Sequence, residues 1–173
     1  MIGFVRRIAA LLGSALLLLT GCSGLRPLRV GDQLPPFTVE GWNGGTISPA
    51  SLAGRPACLD FWASWCPACT PALPALDAIA RRHPEVSVIA INIDASRADG
   101  ERSIAIRLPD RRLTLARDPD GEVFRRFSDG TMPALFVIDA DGVVRVAESG
   151  YGIERLTEVE RLLTDLGTAG ARR

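Results

Sequence analysis

The chain of 173 residues contains no lysine. That absence excludes Schiff-base chemistry and the phosphate-binding lysine of a P-loop. Histidine is almost as scarce. His83 is the single one, in Arg81-Arg82-His83-Pro84, which reads as a helix end running into a solvated loop. A Ser-His or Cys-His catalytic pair would have to use it. Charge of one sign is lacking too: 20 basic and 20 acidic residues give a formal net charge of zero, and the arginines are scattered. No nucleic-acid footprint results. Internal repeats and low-complexity segments are absent, and the length suits one domain rather than two.

A long apolar run is missing as well. Ile8 to Leu19 is apolar but too short to span a bilayer comfortably, and Arg6 and Arg7 precede it as a basic leader. The run ends in Leu19-Thr20-Gly21-Cys22, which resembles the lipobox of bacterial lipoproteins. The resemblance implies a signal peptide over residues 1–21 and a lipid on Cys22, with a tether over residues 22–36. The alternative is an uncleaved signal anchor with Cys22 as an ordinary residue. Ser23 stands where lipoproteins kept at the inner membrane carry aspartate, so either membrane remains open. Export places the chain where disulfides persist and need enzymes to make, break or correct them.

Beyond residue 36 the pattern alternates strands and helices. Phe37–Glu40 and Thr46-Ile47 flank Gly41-Trp42-Asn43-Gly44-Gly45, a hairpin signal in which Trp42 packs. Ala57 to Ala63 and Val86 to Ile93 are continuous apolar strands suited to burial in a parallel pair. Between them, Leu73, Leu76, Ile79 and Ala80 recur at helical spacing from Cys66 to about Arg82, with a kink expected near Pro74. A helix capped by Ser96 or Asp99 runs to about Arg107, Leu113–Ala116 is a short strand, and Asp120–Phe127 a short helix. Ala134–Ile138 and Val143–Ala147 form a hairpin around Asp139-Ala140-Asp141-Gly142. Ile153–Leu166 is an amphipathic helix ended by Gly167, leaving a tail from residue 169. The expected architecture is α/β, a central mixed sheet flanked by helices, over residues 37–168.

The chemistry concentrates in Asp60-Phe61-Trp62-Ala63-Ser64-Trp65-Cys66-Pro67-Ala68-Cys69. Two cysteines at this spacing where a helix begins can close a small, reducible disulfide, and the helix N-terminus stabilises the thiolate of the first. The same spacing also serves as half a zinc site, although His83 and Cys58 are poor material for the other half. Asp60 is an acid inside an apolar strand. Burial raises its pKa, which suits a proton acceptor, while an edge strand would leave it solvated. Cys58, two residues earlier on the same strand face, reads as a buried small hydrophobe or as a third thiol.

Several separated features of this sequence together resemble the thioredoxin-like superfamily. Asp60 lies six positions before Cys66, Trp62 and Trp65 flank the turn, Pro74 follows Cys66 by eight, and Thr131-Met132-Pro133 precedes a strand as the cis-proline loop does. The connection of 39 positions from Asp94 to Pro133, with its extra strand and helix, and the N-terminal hairpin resemble the membrane-tethered TlpA/ResA-type oxidoreductases. The resemblance implies Cys66 as nucleophile, Cys69 as the resolving thiol and Asp60 as its proton acceptor. It further implies substrate contacts from Trp65, Pro67, Met132 and Pro133, with the Met132 main chain offered as an added strand. At the position where thioredoxins carry a lysine near this acid stands Ala90, leaving Asp60 without that countercharge. Implied too are no cofactor and no metal, client proteins with disulfides, a membrane electron donor of the DsbD type, and a monomer on the periplasmic side of a bacterial membrane. Two rival classes remain: a peroxiredoxin-like peroxidase, disfavoured by Ala63 where that family needs Thr or Ser, and a Sco-type copper carrier, disfavoured by the C-x-x-C gap and the lack of a downstream histidine.

Overall fold

The computed structural model describes residues 26–170. The expected signal peptide over residues 1–21 and the expected lipid site Cys22 lie outside the described residues, as does the end of the tail, 171–173. In chain order the elements are β1 (Val39–Gly41), β2 (Thr46–Ile47), α1 (Pro49–Leu52), β3 (Ala57–Trp62), a 3-10 turn (Pro67–Cys69), α2 (Ala72–Arg82), β4 (Ser87–Asn92), α3 (Arg97–Arg107), β5 (Thr114–Arg117), α4 (Glu122–Phe127), β6 (Ala134–Ile138), β7 (Val144–Ser149) and α5 (Arg155–Gly170). One seven-stranded mixed sheet results, ordered β2-β1-β5-β4-β3-β6-β7. The two continuous apolar runs become its centre: β3 and β4 pair in parallel, and β6 adds antiparallel on the other side of β3.

Alternation along β3 divides its side chains between two cores. Ala57, Leu59 and Phe61 face a phenylalanine-rich layer under α1 and α4, where Phe61 meets Phe127 and Phe136 edge-on at centroid distances of 6.0 and 6.1 Å. Cys58 and Trp62 face the other layer, built with Leu73, Leu76 and Ile79 of α2, Ile104 of α3, and Leu156, Val159 and Leu163 of α5. Each such buried aliphatic side chain contributes roughly 1.5–3 kcal/mol. Asp60 shares this second face by parity. The residues between Asp94 and Pro133 hold α3, β5 and α4, so the long connection is the inserted strand and helices, and the N-terminal hairpin docks on β5.

Four expectations change. The kink placed near Pro74 is instead a break before α2, at Thr70 and Pro71. Pro74 then falls in the first turn, where backbone N–H groups have no intrahelical acceptor, so its missing donor costs nothing. Gly167 does not end α5, which continues to Gly170. It is buried where a Cβ would stand 2.9 Å from Glu85 Cγ, so close packing rather than termination explains the glycine. The tail read from residue 169 therefore starts inside a helix. Finally, the tether over residues 22–36 is docked from Leu28 onward. The Leu28 N–H donates to the Phe127 carbonyl, Gly31 and Leu34 donate to Val144 and Gly142, and Leu34 is buried. An apolar residue every few positions gives that stretch something to bury.

Candidate active site

The C-terminal end of β3 delivers the site. Past Trp62 the chain turns through Ala63, Ser64 and Trp65, and Cys66 caps the 3-10 turn as its first half-helical residue. Cys66 and Cys69 are joined in a disulfide with Cα atoms 5.4 Å apart. The Cys69 N–H points at Cys66 Sγ, 3.2 Å away, so the first sulfur already holds a donor that would favour its thiolate. Because the 3-10 turn is separate from α2, that support comes from this local N–H rather than from the dipole of a long helix. Cys66 is the more accessible of the pair, 6% exposed against 1% for Cys69. Its neighbours Pro67 and Ala68 are exposed, and Trp65 projects with 65% of its surface open.

A buried carboxylate fixes the turn from below. Asp94, just past β4, accepts the Ser64 N–H at 3.1 and 3.0 Å on its two oxygens and the Ser64 hydroxyl at 3.1 Å. It also accepts from Asn92 Nδ2 at 2.8 Å. On the helix side, Arg107 donates to Thr70 Oγ1 at 3.4 Å and to Ser103 Oγ at 2.8 Å, bringing a guanidinium close behind the turn.

Asp60, on the same face of β3 as Cys58 and Trp62, has no exposed surface. Its cross-strand neighbours are Ala90 and Leu135, so no countercharge sits beside it in the sheet. Burial pushes its pKa from 3.8 up to about 7, partly offset by a hydrogen bond from Tyr151. The Tyr151 hydroxyl donates to Asp60 Oδ1 at 2.7 Å, while Oδ2 is buried with no hydrogen-bond partner among the described residues. Cys58 is fully buried, and desolvation together with Asp60 pushes its thiol far up, which makes it inert packing.

The cis-proline loop closes the site. Met132-Pro133 is a cis peptide, Met132 is half-buried against the layer holding Cys66 and Cys69, and β6 starts at the next residue. Gly150 N–H donates to the Pro133 carbonyl at 2.8 Å, tying the loop before α5 to this edge. Trp62 is buried, with its Nε1 unpartnered among the described residues, and Trp42 packs in the hairpin under the Arg97 guanidinium. His83 is remote from the site. Contrary to the expected solvated loop, it is wedged at the end of α2, with Nδ1 3.2 Å from Glu85 Oε1 and Nε2 3.1 Å from Glu160 Oε1. Tyr151, Asp94 and Arg107 carried no motif. Each reaches the site through the fold, Tyr151 across 91 positions from Asp60.

The AhpC/TSA family profile matches residues 30–147, which span both cysteines, Asp60 and the cis-proline loop. The chain belongs to the AhpC/TSA family. It is 32% identical over 129 residues to the soluble secreted antigen MPT53 of Mycobacterium tuberculosis, covering 74% of this chain and 73% of that protein. It is 26% identical over 138 residues to the thiol-disulfide oxidoreductase ResA of Bacillus thuringiensis, covering 79% and 80%. Among solved structures, one assigned as the thiol:disulfide interchange protein DsbE of Chlorobium tepidum superposes with a TM-score of 0.74 at 28% identity, covering 81% of this chain and 99% of that one. The fold is thioredoxin-like, and the Cys66–Cys69 disulfide fits the redox site of a thiol–disulfide oxidoreductase.

Proposed function

We propose that the protein is an extracytoplasmic thiol–disulfide oxidoreductase that reduces disulfides in client proteins by cycling Cys66 and Cys69 between dithiol and disulfide. The observation that carries this reading is the disulfide itself, with its more accessible sulfur on a turn beside exposed Trp65. In the reduced protein the Cys66 thiolate attacks a client disulfide and one client thiolate leaves. Cys69 then gives its proton to Asp60 and attacks Cys66 Sγ, so the second client thiolate departs. The client gains two electrons, and the Cys66/Cys69 pair is left oxidised. Trp65, Pro67, Met132 and Pro133 form the docking surface, with the Met132 main chain pairing to an extended client segment.

Residues 1–21 serve as the signal peptide, and Cys22 carries the lipid that holds the chain on the periplasmic side of a bacterial membrane. The secreted character of the MPT53 relative supports export, and a DsbD-type membrane protein would return the electrons. The chain acts as a monomer, without cofactor or metal and without nucleic acid. The test is insulin reduction with dithiothreitol: wild-type protein accelerates it, and Cys66→Ser abolishes the acceleration. An equally active Cys66→Ser protein would sink the mechanism. The peroxidase reading is tested in parallel by peroxide consumption and the copper reading by Cu titration, both expected to be negative.

A further inference from the structure

We propose that Tyr151 is a positioning residue for the exchange reaction: its hydroxyl holds Asp60 Oδ1 and leaves Oδ2 as the oxygen that takes the Cys69 proton. This rests on the reading of Asp60 as the proton acceptor. The geometry is one-sided. A fully buried carboxylate has one oxygen occupied by a short hydrogen bond at 2.7 Å and the other unpartnered among the described residues, in the layer that also contains Cys69. Buried acceptors are normally satisfied, and an orphaned one in a native site calls for a role. Tyr151 is suited to a constant donor. Burial and the adjacent carboxylate push its own ionisation far up, so the hydroxyl keeps its proton throughout the working range. It is the hydrogen-bond donor that Asp60 has in the absence of a countercharge at Ala90. A neutral donor supports the carboxylate form without fixing it there, so the proton can both arrive and leave.

No other charge facing Asp60 performs this task. On β3, Cys58 is neutral and buried, and the flanking positions Ala90 and Leu135 are apolar. Glu148, one strand beyond Leu135, is paired with Arg155 of α5 at 2.7 Å. Asp77 of α2 is paired with Arg81 and with the Arg112 and Leu113 backbone. Arg107 of α3 is engaged by Ser103 and Thr70, and Cys66 and Cys69 are the reacting groups themselves. Without the Tyr151 hydroxyl both Asp60 oxygens would lack a donor, the protonated acid would gain, and the base would be available only at higher pH.

The chain has one tyrosine, so substitution and biosynthetic labelling both address this position alone. Reduced full-length protein is mixed with dithiobis(nitrobenzoate), which releases a coloured thiolate when Cys66 attacks and a second when Cys69 displaces it. The probe disulfide gains two electrons. The dithiol loses two electrons and two protons, one to solvent from Cys66 and one to Asp60 from Cys69. The pH midpoint of the second phase is expected to rise by about one unit in Tyr151→Phe, the scale of one hydrogen bond to a charged group. The first phase keeps its profile. Uniform replacement by 3-fluorotyrosine, a stronger donor of almost the same shape, is expected to move that midpoint to lower pH, and it serves if the Phe protein does not fold. An unchanged midpoint in both proteins, while Asp60→Asn removes the pH dependence, overturns the role of Tyr151 and spares that of Asp60. A second phase indifferent to Asp60→Asn overturns both. Equal slowing of both phases at every pH marks a merely structural tyrosine and also overturns the proposal.

Discussion

Asp60 is the residue on which stability and chemistry pull in opposite directions. A rise in its pKa from 3.8 to about 7 corresponds to an energetic cost of about 4 kcal/mol for holding the ionised form in the fold. Between those two values the folded protein retains a proton that the unfolded chain has released. Stability therefore falls as pH rises through this window and levels off above it. Asp60→Asn keeps an oxygen for the Tyr151 hydroxyl but cannot ionise. Urea unfolding of the oxidised variant is expected to show a gain of up to about 4 kcal/mol at pH 8 and little gain at pH 3, below the unfolded value. Equal gains at both pH values would show that Asp60 is not the titrating group. The same variant should slow insulin reduction, since the proposed acceptor for the Cys69 proton is gone. The Cys66–Cys69 disulfide and the burial of Asp60 were legible in the sequence because both follow from local spacing and strand context. Tyr151 was not, because its contact with Asp60 exists only once β7 has brought the segment before α5 back across the sheet.

At the scale of elements, the active turn is held less by its own helix than by the end of a neighbouring strand. The 3-10 turn has three residues and, among the described residues, no side-chain hydrogen bond to the sheet, whereas Asp94 gathers the Ser64 N–H, the Ser64 hydroxyl and Asn92 Nδ2. Removing that acceptor leaves three donors short of a partner in a largely buried site, at a cost of about 1–3 kcal/mol. Asp94→Ala is accordingly expected to lose stability of that order in urea unfolding. Insulin reduction should fall further than stability alone accounts for, because Trp65 and Cys66 lose their fixed approach. Full activity at a temperature where the variant stays folded would show that the turn holds its own shape. The strands were readable from the sequence because continuous apolar runs have one good place in such a sheet, between other strands. The break at Pro71 was harder to place. Pro71 and Pro74 both disfavour a helix interior, and which one opens the helix depends on where Leu73, Leu76 and Ile79 meet the sheet. Gly167 misled for a related reason: a glycine stops a helix or admits a neighbour, and only the approach of Glu85 distinguishes the two.

For the whole molecule, the docked N-terminal segment changes how far the site can travel from a membrane. Among the described residues no helix is long and apolar enough to cross a bilayer, and the proposed reading puts the anchor at Cys22. From Cys22 to Leu28, where the chain joins the domain, there are six residue steps, roughly 20 Å when fully extended. A tether reaching to residue 36 would more than double that span. Leu28 is hydrogen-bonded to Phe127 at the end of α4, and Met132-Pro133 follows Phe127 by only a few residues. The segment thus joins the domain a few residues along the chain from the proposed substrate-binding loop. A short leash ending there favours exchange with a partner in the membrane by raising the effective concentration of the two sites. Cys22→Ser is therefore expected to move the protein from the membrane fraction to the soluble one. Insulin reduction by the purified protein should be unchanged, since Cys22 takes no part in the dithiol cycle. In cells, alkylation trapping should find a larger share of the Cys66/Cys69 pair oxidised, because reduction by the membrane donor becomes a bimolecular encounter. A variant still in the membrane fraction would refute lipid anchoring at Cys22, whereas a released variant that remains as reduced as wild type would refute the membrane donor alone.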